Sequence, residues 1–298
     1  MAADNHRVTV VIRTQNRPRL LARALDDVLA QDFTDWRLVL VNDGGEAEPV
    51  DLAVEERMSG FGDRIEVIHV NGGTGSMEAA ANLGARADDG EFVIIHDDDD
   101  TWAPDFLSAA VACLDAHPEA VAVAALIEIV YEKVSGERII ETGRRLFSPP
   151  GGMLTLFDLM LANRVVPIGM LIRRASFDAV GWYDESLLAV GDWEFNLRLL
   201  QHGPVPVLMD RPRAFWHQRP HAKGRESNSI FGGSDQHFHF DRVVRERELR
   251  AYLDQHGPGA LLFLSKVIEE QVRYYSLQET VRRALRRIRD KLSFGKRH

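Results

Sequence analysis

The chain has 298 residues, 45% hydrophobic and 27% charged, which excludes a disordered tail, a collagen and a disulfide-stapled miniature scaffold. Its formal charge of −9 withholds the attraction to phosphate backbones on which general nucleic-acid binding depends, so no DNA or RNA partner is expected. A single cysteine, Cys113, in the apolar stretch Ala109 to Leu114, rules out an intrachain disulfide or a thiolate metal cage and suits a reducing compartment.

Met1 to Val8 lacks the apolar core of a signal sequence, and no apolar run reaches the roughly 18 residues of a spanning helix. A cytoplasmic location is the expectation. Four short β-branched runs then recur: Val8 to Ile12, Arg37 to Val41, Arg64 to Val70 and Glu91 to Ile95. After the first, Pro18 suits a helix start and Leu21, Ala24, Leu25 and Val28 hold a 3.6-residue stripe. After the third, Met77 to Ala87 is Ala-rich and helical. Strands alternating with helices at this spacing predict an α/β fold with a parallel sheet covered on both faces.

Beyond Asp100 the alternation loosens into a mixed second half. The pattern predicts a helix from Pro104 to His117, a strand from Ala120 to Tyr131, and a turn at Ser135 and Gly136 into Glu137 to Thr142. A Pro/Gly loop follows at Ser148 to Gly152. Gly169 to Arg173 and Val205 to Met209 read as strands, with a helix from Asp192 to Gln201 between them. His217 to Phe240 has no sustained period and reads as a mobile loop, a lid from which Lys223 or Arg225 reaches phosphate. Helices from Arg242 to Leu253 and Ala260 to Leu292 are separated by Gly257-Pro258-Gly259. The division expected is a catalytic domain over 1–222, with halves 1–103 and 104–222, and an extension over 223–298.

Ligands of an open parallel sheet collect beyond the carboxyl ends of its strands, so the four strand exits are the candidate site. Asp97, Asp98, Asp99 and Asp100 form the strongest signal, because adjacent carboxylates repel one another unless a cation or hydrogen-bond donors offset them. Oxygen-only ligands suit Mg²⁺ or Mn²⁺ sharing a diphosphate, and a solvated acidic turn is the plainer alternative. At the second exit Asp43 can accept from a nucleobase or ribose, or can serve an Asp-Gly turn. Asn71 to Ser76 is Gly-rich ahead of a helix but is neither GxGxxG nor a P-loop.

The segment Val8-Thr9-Val10-Val11-Ile12-Arg13-Thr14-Gln15-Asn16-Arg17-Pro18, then Val41 to Gly45, Ala81-Asn82-Leu83-Gly84, Gly90-Glu91-Phe92, and the Asp97 to Asp100 run with Trp102 and Pro104-Asp105, resembles the family 2 nucleotide-sugar glycosyltransferases of GT-A fold. The likeness spans roughly Val8 to His217. It implies a GT-A-like, Rossmann-like sheet, and a sugar transferred from a nucleoside diphosphate sugar, UDP-linked by default, to a carbohydrate or glycoconjugate hydroxyl in polysaccharide synthesis. It further implies that Asp43 contacts the base, that Asp99 ligates the metal, and that Asp97 and Asp98 face ribose, sugar or metal waters. Thr14, Asn16, Arg17, Gly73 and Asn82 complete the expected donor site. Asp192, in Gly191-Asp192-Trp193-Glu194, matches the family's catalytic base, although Gly191 replaces an acidic residue usual before it and Arg13 stands where the family often has Pro. The resemblance also implies His217 on the metal or diphosphate, while Trp193 and Glu194, beside Asp192, are candidate acceptor contacts and Trp182 and Trp216 further aromatic candidates for stacking on sugar.

Transfer needs stabilisation of the leaving diphosphate and a base on the opposite face of the sugar, which predicts inversion. A nucleotidyltransferase and a non-catalytic nucleotide-sugar binder are the rival readings. An NAD-dependent oxidoreductase has no use for the Asp run. The last twenty residues carry a net +6, with Val281, Ala284, Leu285, Ile288 and Leu292 at helical spacing among arginines. Peripheral contact with an anionic membrane, packing on the acidic catalytic domain and a homo-oligomer contact are the three readings of that helix.

Overall fold

The computed structural model describes residues 6–136, 138–147, 151–222, 224, 227, 228 and 234–294, with side chains described as far as 279 and at 282. It divides into two compact units, 1–241 and 242–298. In the first unit β1 (Val8–Thr14), β2 (Trp36–Asp43), β3 (Ile65–Val70) and β4 (Phe92–Asp97) form the parallel half of an eight-stranded sheet, ordered β3-β2-β1-β4 and then β10 (Met170–Arg173), β6 (Ala122–Ala125), β11 (Val205–Leu208) and β9 (Met153–Leu154). β10 runs antiparallel to both its neighbours, while β11 is parallel to β6. The expected mostly parallel α/β sheet is what the chain forms.

Burial explains why these runs become strands. Val8, Val10, Val11, Ile12, Leu38 to Val41 and Phe92 to Ile95 are all buried, so both faces of the central strands are covered. Each such side chain contributes roughly 1.5–3 kcal/mol of burial free energy. Helix α1 (Pro18–Leu29) packs Leu20, Leu21, Ala24, Leu25 and Val28 inward, Pro18 opening it where no N–H is needed. Short helices α2 (Ala47–Glu55) and α3 (Met58–Phe61) follow β2. Helix α4 (Met77–Arg86) starts on Ser76, whose hydroxyl accepts from Ala79 N–H. It lies so close to the sheet at Gly84 that an added Cβ would stand 2.4 Å from Val11 Cγ1.

The single strand expected over Ala120 to Tyr131 is two. Leu126 breaks the ladder, donating to Leu208 and accepting from Arg213, and the chain leaves β6 to enter β7 (Ile127–Ser135) in a second sheet. That four-stranded sheet runs β5 (Thr101–Trp102), β12 (Ala214–Gln218), β7, β8 (Arg138–Phe147). The apolar run Ala120 to Ile127 cannot reveal such a switch, because every residue of it is buried on both sides of the break. Helix α5 (Phe106–Ala116) falls where the pattern placed one, and α6 (Leu156–Leu161), α7 (Arg174–Val180) and α8 (Gly191–Leu199) complete the unit.

The lid expected over His217 to Phe240 needs correction where it is described. His217 and Gln218 end β12, Asn228 is buried, and residues 234–240 open helix α9 (Ser234–His256), which crosses into the second unit. Lys223 and Arg225 lie outside the described residues, as do Ser148, Pro149 and Pro150 of the expected loop. The second unit continues as α10 (Gly259–Phe294) after the Gly257 to Gly259 breaker, and of its basic end only the Arg282 side chain is among the described residues. Among the described residues no helix is long and apolar enough to cross a membrane.

Candidate active site

The parallel register brings three strand ends to one edge: Arg13 lies opposite Asp97 and Thr14 opposite Asn42. Two cavities open there. One of about 300 Å³ is lined by Arg13, Thr14, Gln15, Arg17, Asp43, Asp97, Asp99, Asp100, Trp216 and Asn228, among others. The other, of about 270 Å³, shares Arg13, Asp97, Met77 and Trp216 with the first and adds Glu78, Asn163, Tyr183 and Asp192. The two are therefore adjoining rooms with a common wall, one matching the expected donor residues and the other holding the expected base.

The chain resolves its aspartate run by pointing the four carboxylates at different partners. Arg13 Nε donates to Asp97 Oδ1 at 2.7 Å. Asp98 is 0% exposed and accepts from Thr14 Oγ1 at 2.6 Å and Arg17 Nε at 3.1 Å. Asp99 Oδ2 is ion-paired to Arg219 and accepts from Arg17 Nη1 at 3.3 Å and Asn228 Nδ2 at 3.1 Å. Asp100 Oδ1 accepts from the His217 backbone N–H at 2.8 Å, and burial together with the Asp99 charge pushes its carboxyl up. Burial also works against the Asp97 anion, but Arg13 and Arg17 outweigh it and hold that carboxyl below its ordinary range.

Asp97, Asp99 and Asp100 line the donor-side cavity and Asp98 does not. One oxygen each of Asp97 and Asp99 accepts no hydrogen bond among the described residues. Two hard oxygens at D-x-D spacing, with room for a diphosphate and waters, fit Mg²⁺ or Mn²⁺. Among the described residues, the one group that brings three possible ligand atoms together is His6, Asp88 and Asp89 at the opposite end of the strands, where His6 and Thr9 already bond Asp88.

Asp43 Oδ1 accepts from the Thr74 N–H at 2.5 Å, which ties the second strand exit to the Gly-rich loop. The fit is tight: Gly44 has φ 76°, and a Cβ there would meet Gly73 N at 2.9 Å. Gly73 acts by this close packing and Asn16 by accepting from Glu46 N–H at 3.0 Å, and neither lines either of these two cavities.

Several expected contacts are corrected by burial and saturation. Asp98 faces Thr14 and Arg17 and not the cavity. Asn82 spends its amide on Tyr183 and Glu185, donating at 2.9 and 2.8 Å and accepting from Tyr183 N–H at 3.0 Å, so it anchors residues 183–185. His217, expected on the metal, is engaged at both nitrogens, with Glu132 Oε1 and Thr101 Oγ1 each at 2.7 Å. Burial holds its imidazole below the usual range, and the ring bridges two strands through these contacts. Glu132 is driven upward by burial, yet His217 and Arg23 overcome that and bring it to about 2. Trp193 Nε1 donates to Leu159 O at 2.6 Å, and Glu194 pairs with Arg198 at 2.7 Å. Neither lines either of the two cavities, whereas Trp216 lines both, and Trp182 lies under the Arg86 guanidinium.

Asp192 is set by an unusual local backbone. Val190 has φ 61°, a strained left-handed value for a β-branched residue, and it serves as the N-cap of α8. Asp192 therefore stands inside the first turn and not at the cap. Burial raises its carboxyl, opposed by Asn163, whose Nδ2 donates to Oδ2 at 2.8 Å, and by the Trp193 backbone N–H.

Sequence reasoning missed Glu78, Asn163, Arg219 and Asn228, because their proximity is made by tertiary folding across separations of 29 to 129 residues. Burial raises Glu78 to about 7, against the pull of Arg13 and with the push of Asp192 and Asp97. A carboxyl raised above its unfolded value of 4.5 contributes stability below that value and loses it as pH rises through about 7. Glu78→Gln is accordingly expected to gain stability over the parent between pH 5 and 8, on the order of 3 kcal/mol at the alkaline end, in urea melts at both pH values. Equal pH slopes for the two proteins contradict the assignment.

The family model for Glycosyl transferase family 2 matches residues 9–181. The chain belongs to that family. Relatives include the uncharacterized glycosyltransferase YwdF of Bacillus subtilis, 27% identical over 197 residues that make up 64% of this chain and 67% of that one. The PGL/p-HBAD biosynthesis glycosyltransferase of Mycobacterium bovis is 26% identical over 204 residues, 68% of this chain and 72% of that one. Among solved structures, S. aureus TarS residues 1–349 with UDP-GlcNAc aligns at TM-score 0.57 and 21% identity over 74% of this chain and 61% of TarS. The mannosyltransferase PcManGT of Pyrobaculum calidifontis, with GDP-Man and Mn²⁺, aligns at 0.54 and 19% over 74% and 59%. The fold is thus that of the GT-A glycosyltransferases, and the match spans about three fifths of those solved chains.

Proposed function

We propose that this family 2 glycosyltransferase moves a sugar from a nucleoside diphosphate sugar to an acceptor hydroxyl of a carbohydrate or glycoconjugate, with inversion, in polysaccharide or glycoconjugate synthesis. The observation that carries the reading is the pair of adjoining cavities, with Asp97 on their shared wall and Asp192 facing only the second. In this reading Asp43, Thr14 and Arg17 build the nucleotide side, directly or by holding the loops. Asp97 and Asp99 would hold Mg²⁺ or Mn²⁺, which supplies Lewis-acid stabilisation of the leaving diphosphate. Asp192, less acidic than a solvated carboxylate, takes the acceptor hydroxyl proton as that oxygen attacks C1. Residues 1–222, joined at the donor side by Asn228, supply this chemistry, and the rest of 223–298 forms an extension.

The rival nucleotidyltransferase needs cations free to converge on a triphosphate. Here Arg13, Arg17, Arg23 and Arg219 are each paired with carboxylates of the run or with Glu132. For the donor, a UDP-sugar is the default, with a GDP-sugar as comparison because TarS and PcManGT bind one of each in their solved structures. A melting panel of UDP- and GDP-sugars with and without Mn²⁺ tests this: one nucleotide sugar raises the melting temperature by several degrees, more with Mn²⁺ present. Stabilisation by nucleoside triphosphates alone, with pyrophosphate as the product, contradicts it.

The second unit leaves Phe263 70% and Leu277 65% exposed, a surface suited to cover by lipid or another copy of the chain. We read it as peripheral at the inner face of the membrane of a cytoplasmic enzyme. Co-sedimentation with anionic vesicles supports that reading, and a stable oligomer that ignores vesicles replaces it.

A further inference from the structure

Beside Asp192 the cavity wall carries a second carboxyl from a distant part of the chain. Glu78 sits in the first turn of α4, is 5% exposed, and lines the same cavity as Asp192, Asn163 and Tyr183. Its side chain occupies the space that a side chain at residue 191 would enter: a Cβ on Gly191 would stand 2.4 Å from Glu78 Cγ and 2.5 Å from Oε1. The glycine next to Asp192 and the glutamate of α4 are therefore two halves of one arrangement, in which the acidic group over residue 191 is delivered from outside.

Glu78 Oε2 is buried and has no hydrogen-bond partner among the described residues. Buried polar oxygens are almost always satisfied, so an orphan on the wall of a cavity points to a donor supplied by a ligand. Other orphans lie elsewhere, such as Trp36 Nε1 and Arg164 Nε, but Glu78 and Asp98 are the carboxylates of this strand edge among them, and Asp98 is already ion-paired to Arg17. Arg13 is already committed to Asp97 and to Met77 O at 2.8 Å, so the partner is left to a ligand that carries a hydrogen-bond donor. A hydroxyl meets that requirement.

We propose that Glu78 is an acceptor-binding residue, its carboxyl accepting a hydrogen bond from the hydroxyl next to the one that Asp192 deprotonates, so that the acceptor carries vicinal hydroxyls as a sugar ring or polyol does. This rests on the transfer reading above. In the transfer step the nucleophilic hydroxyl gives its proton to Asp192, its oxygen pair forms the bond to C1, and the C1–O bond to phosphate breaks with its electrons on the diphosphate. Glu78 exchanges no proton in that step; it fixes which hydroxyl faces Asp192.

The test uses the full chain, whichever of UDP-GlcNAc and GDP-mannose stabilises it, and as acceptor the best of a panel of methyl hexopyranosides with its monodeoxy analogues. Release of nucleoside diphosphate is the readout. Glu78→Ala is expected to raise acceptor KM about 10–100-fold with donor KM unchanged. One monodeoxy acceptor should lose as much with the parent enzyme and nothing further with the variant. Gly191→Glu alone is expected to melt lower than the parent, since its Cβ collides with Glu78. Combined with Glu78→Ala it should regain the melting temperature and acceptor KM to within about threefold, because the carboxyl has been moved rather than lost. Unchanged acceptor KM in Glu78→Ala, or a double variant no better than the single, overturns the inference. Asp192→Asn is run alongside: undiminished turnover there removes the transfer reading itself, a different failure.

Discussion

Asp192→Asn is expected to lower turnover by about two to four orders of magnitude while leaving the donor-induced melting shift intact. The substitution keeps the side chain's size and its contact with Asn163, so the strained Val190 turn and the first turn of α8 have no reason to move. What it removes is the one property the site gives that residue, a buried carboxylate made more basic than in water and facing the second cavity only. Steady-state release of nucleoside diphosphate, paired with melting curves, separates the outcomes. Retained turnover contradicts the assignment of the base, and loss of the donor shift as well shows a folding defect.

The second large effect is expected at Arg219. This guanidinium is 0% exposed and joins Asp99 to Glu132 Oε2, the latter at 3.0 Å. Arg219→Leu would leave two buried carboxylates short of positive charge, although Arg17, Arg23, Asn228 and His217 still contact them. Breaking a buried pair from one side costs about 3–5 kcal/mol, and the surviving partners place this case at about 3. For a domain of this size the melting temperature should fall by roughly 6–12 °C. Mn²⁺ should then restore more stability to the variant than it adds to the parent, because Asp99 has lost its protein counter-charge. A variant that melts like the parent shows that the pair is not formed in solution.

The parallel half of the fold was legible because its signals are local. Val8 to Ile12 and Glu91 to Ile95 are unbroken apolar runs between turn residues, and the stripe of α1 lies on one face. The exits of those strands were legible for the same reason, since register in a parallel sheet puts Thr14, Asp43 and Asp97 at one edge without further information.

What was not legible depended on who neutralises whom. A string of four aspartates does not say that Asp98 turns inward to Thr14 and Arg17 while Asp97, Asp99 and Asp100 line the donor-side cavity. Arg219 and Asn228 come from a segment whose sequence has no period. The His217 backbone N–H bonds Asp100, but its ring partners Thr101 and Glu132 come from β5 and β7 of a sheet that the apolar run does not reveal. Trp193 read as an acceptor contact because it adjoins Asp192, yet helix geometry turns the adjacent residue to the core and leaves Trp216 to form the wall. The Glu78 pairing with Gly191 lies in tertiary contact alone.

The most direct measurement is the anomalous difference map of a crystal soaked with Mn²⁺ and the stabilising nucleoside diphosphate sugar. A single strong peak is expected in contact with carboxylate oxygens of Asp97 and Asp99, beside the diphosphate, with the sugar directed toward Asp192. A nucleotide bound with no ion at those aspartates, or an ion held at His6, Asp88 and Asp89 instead, contradicts it.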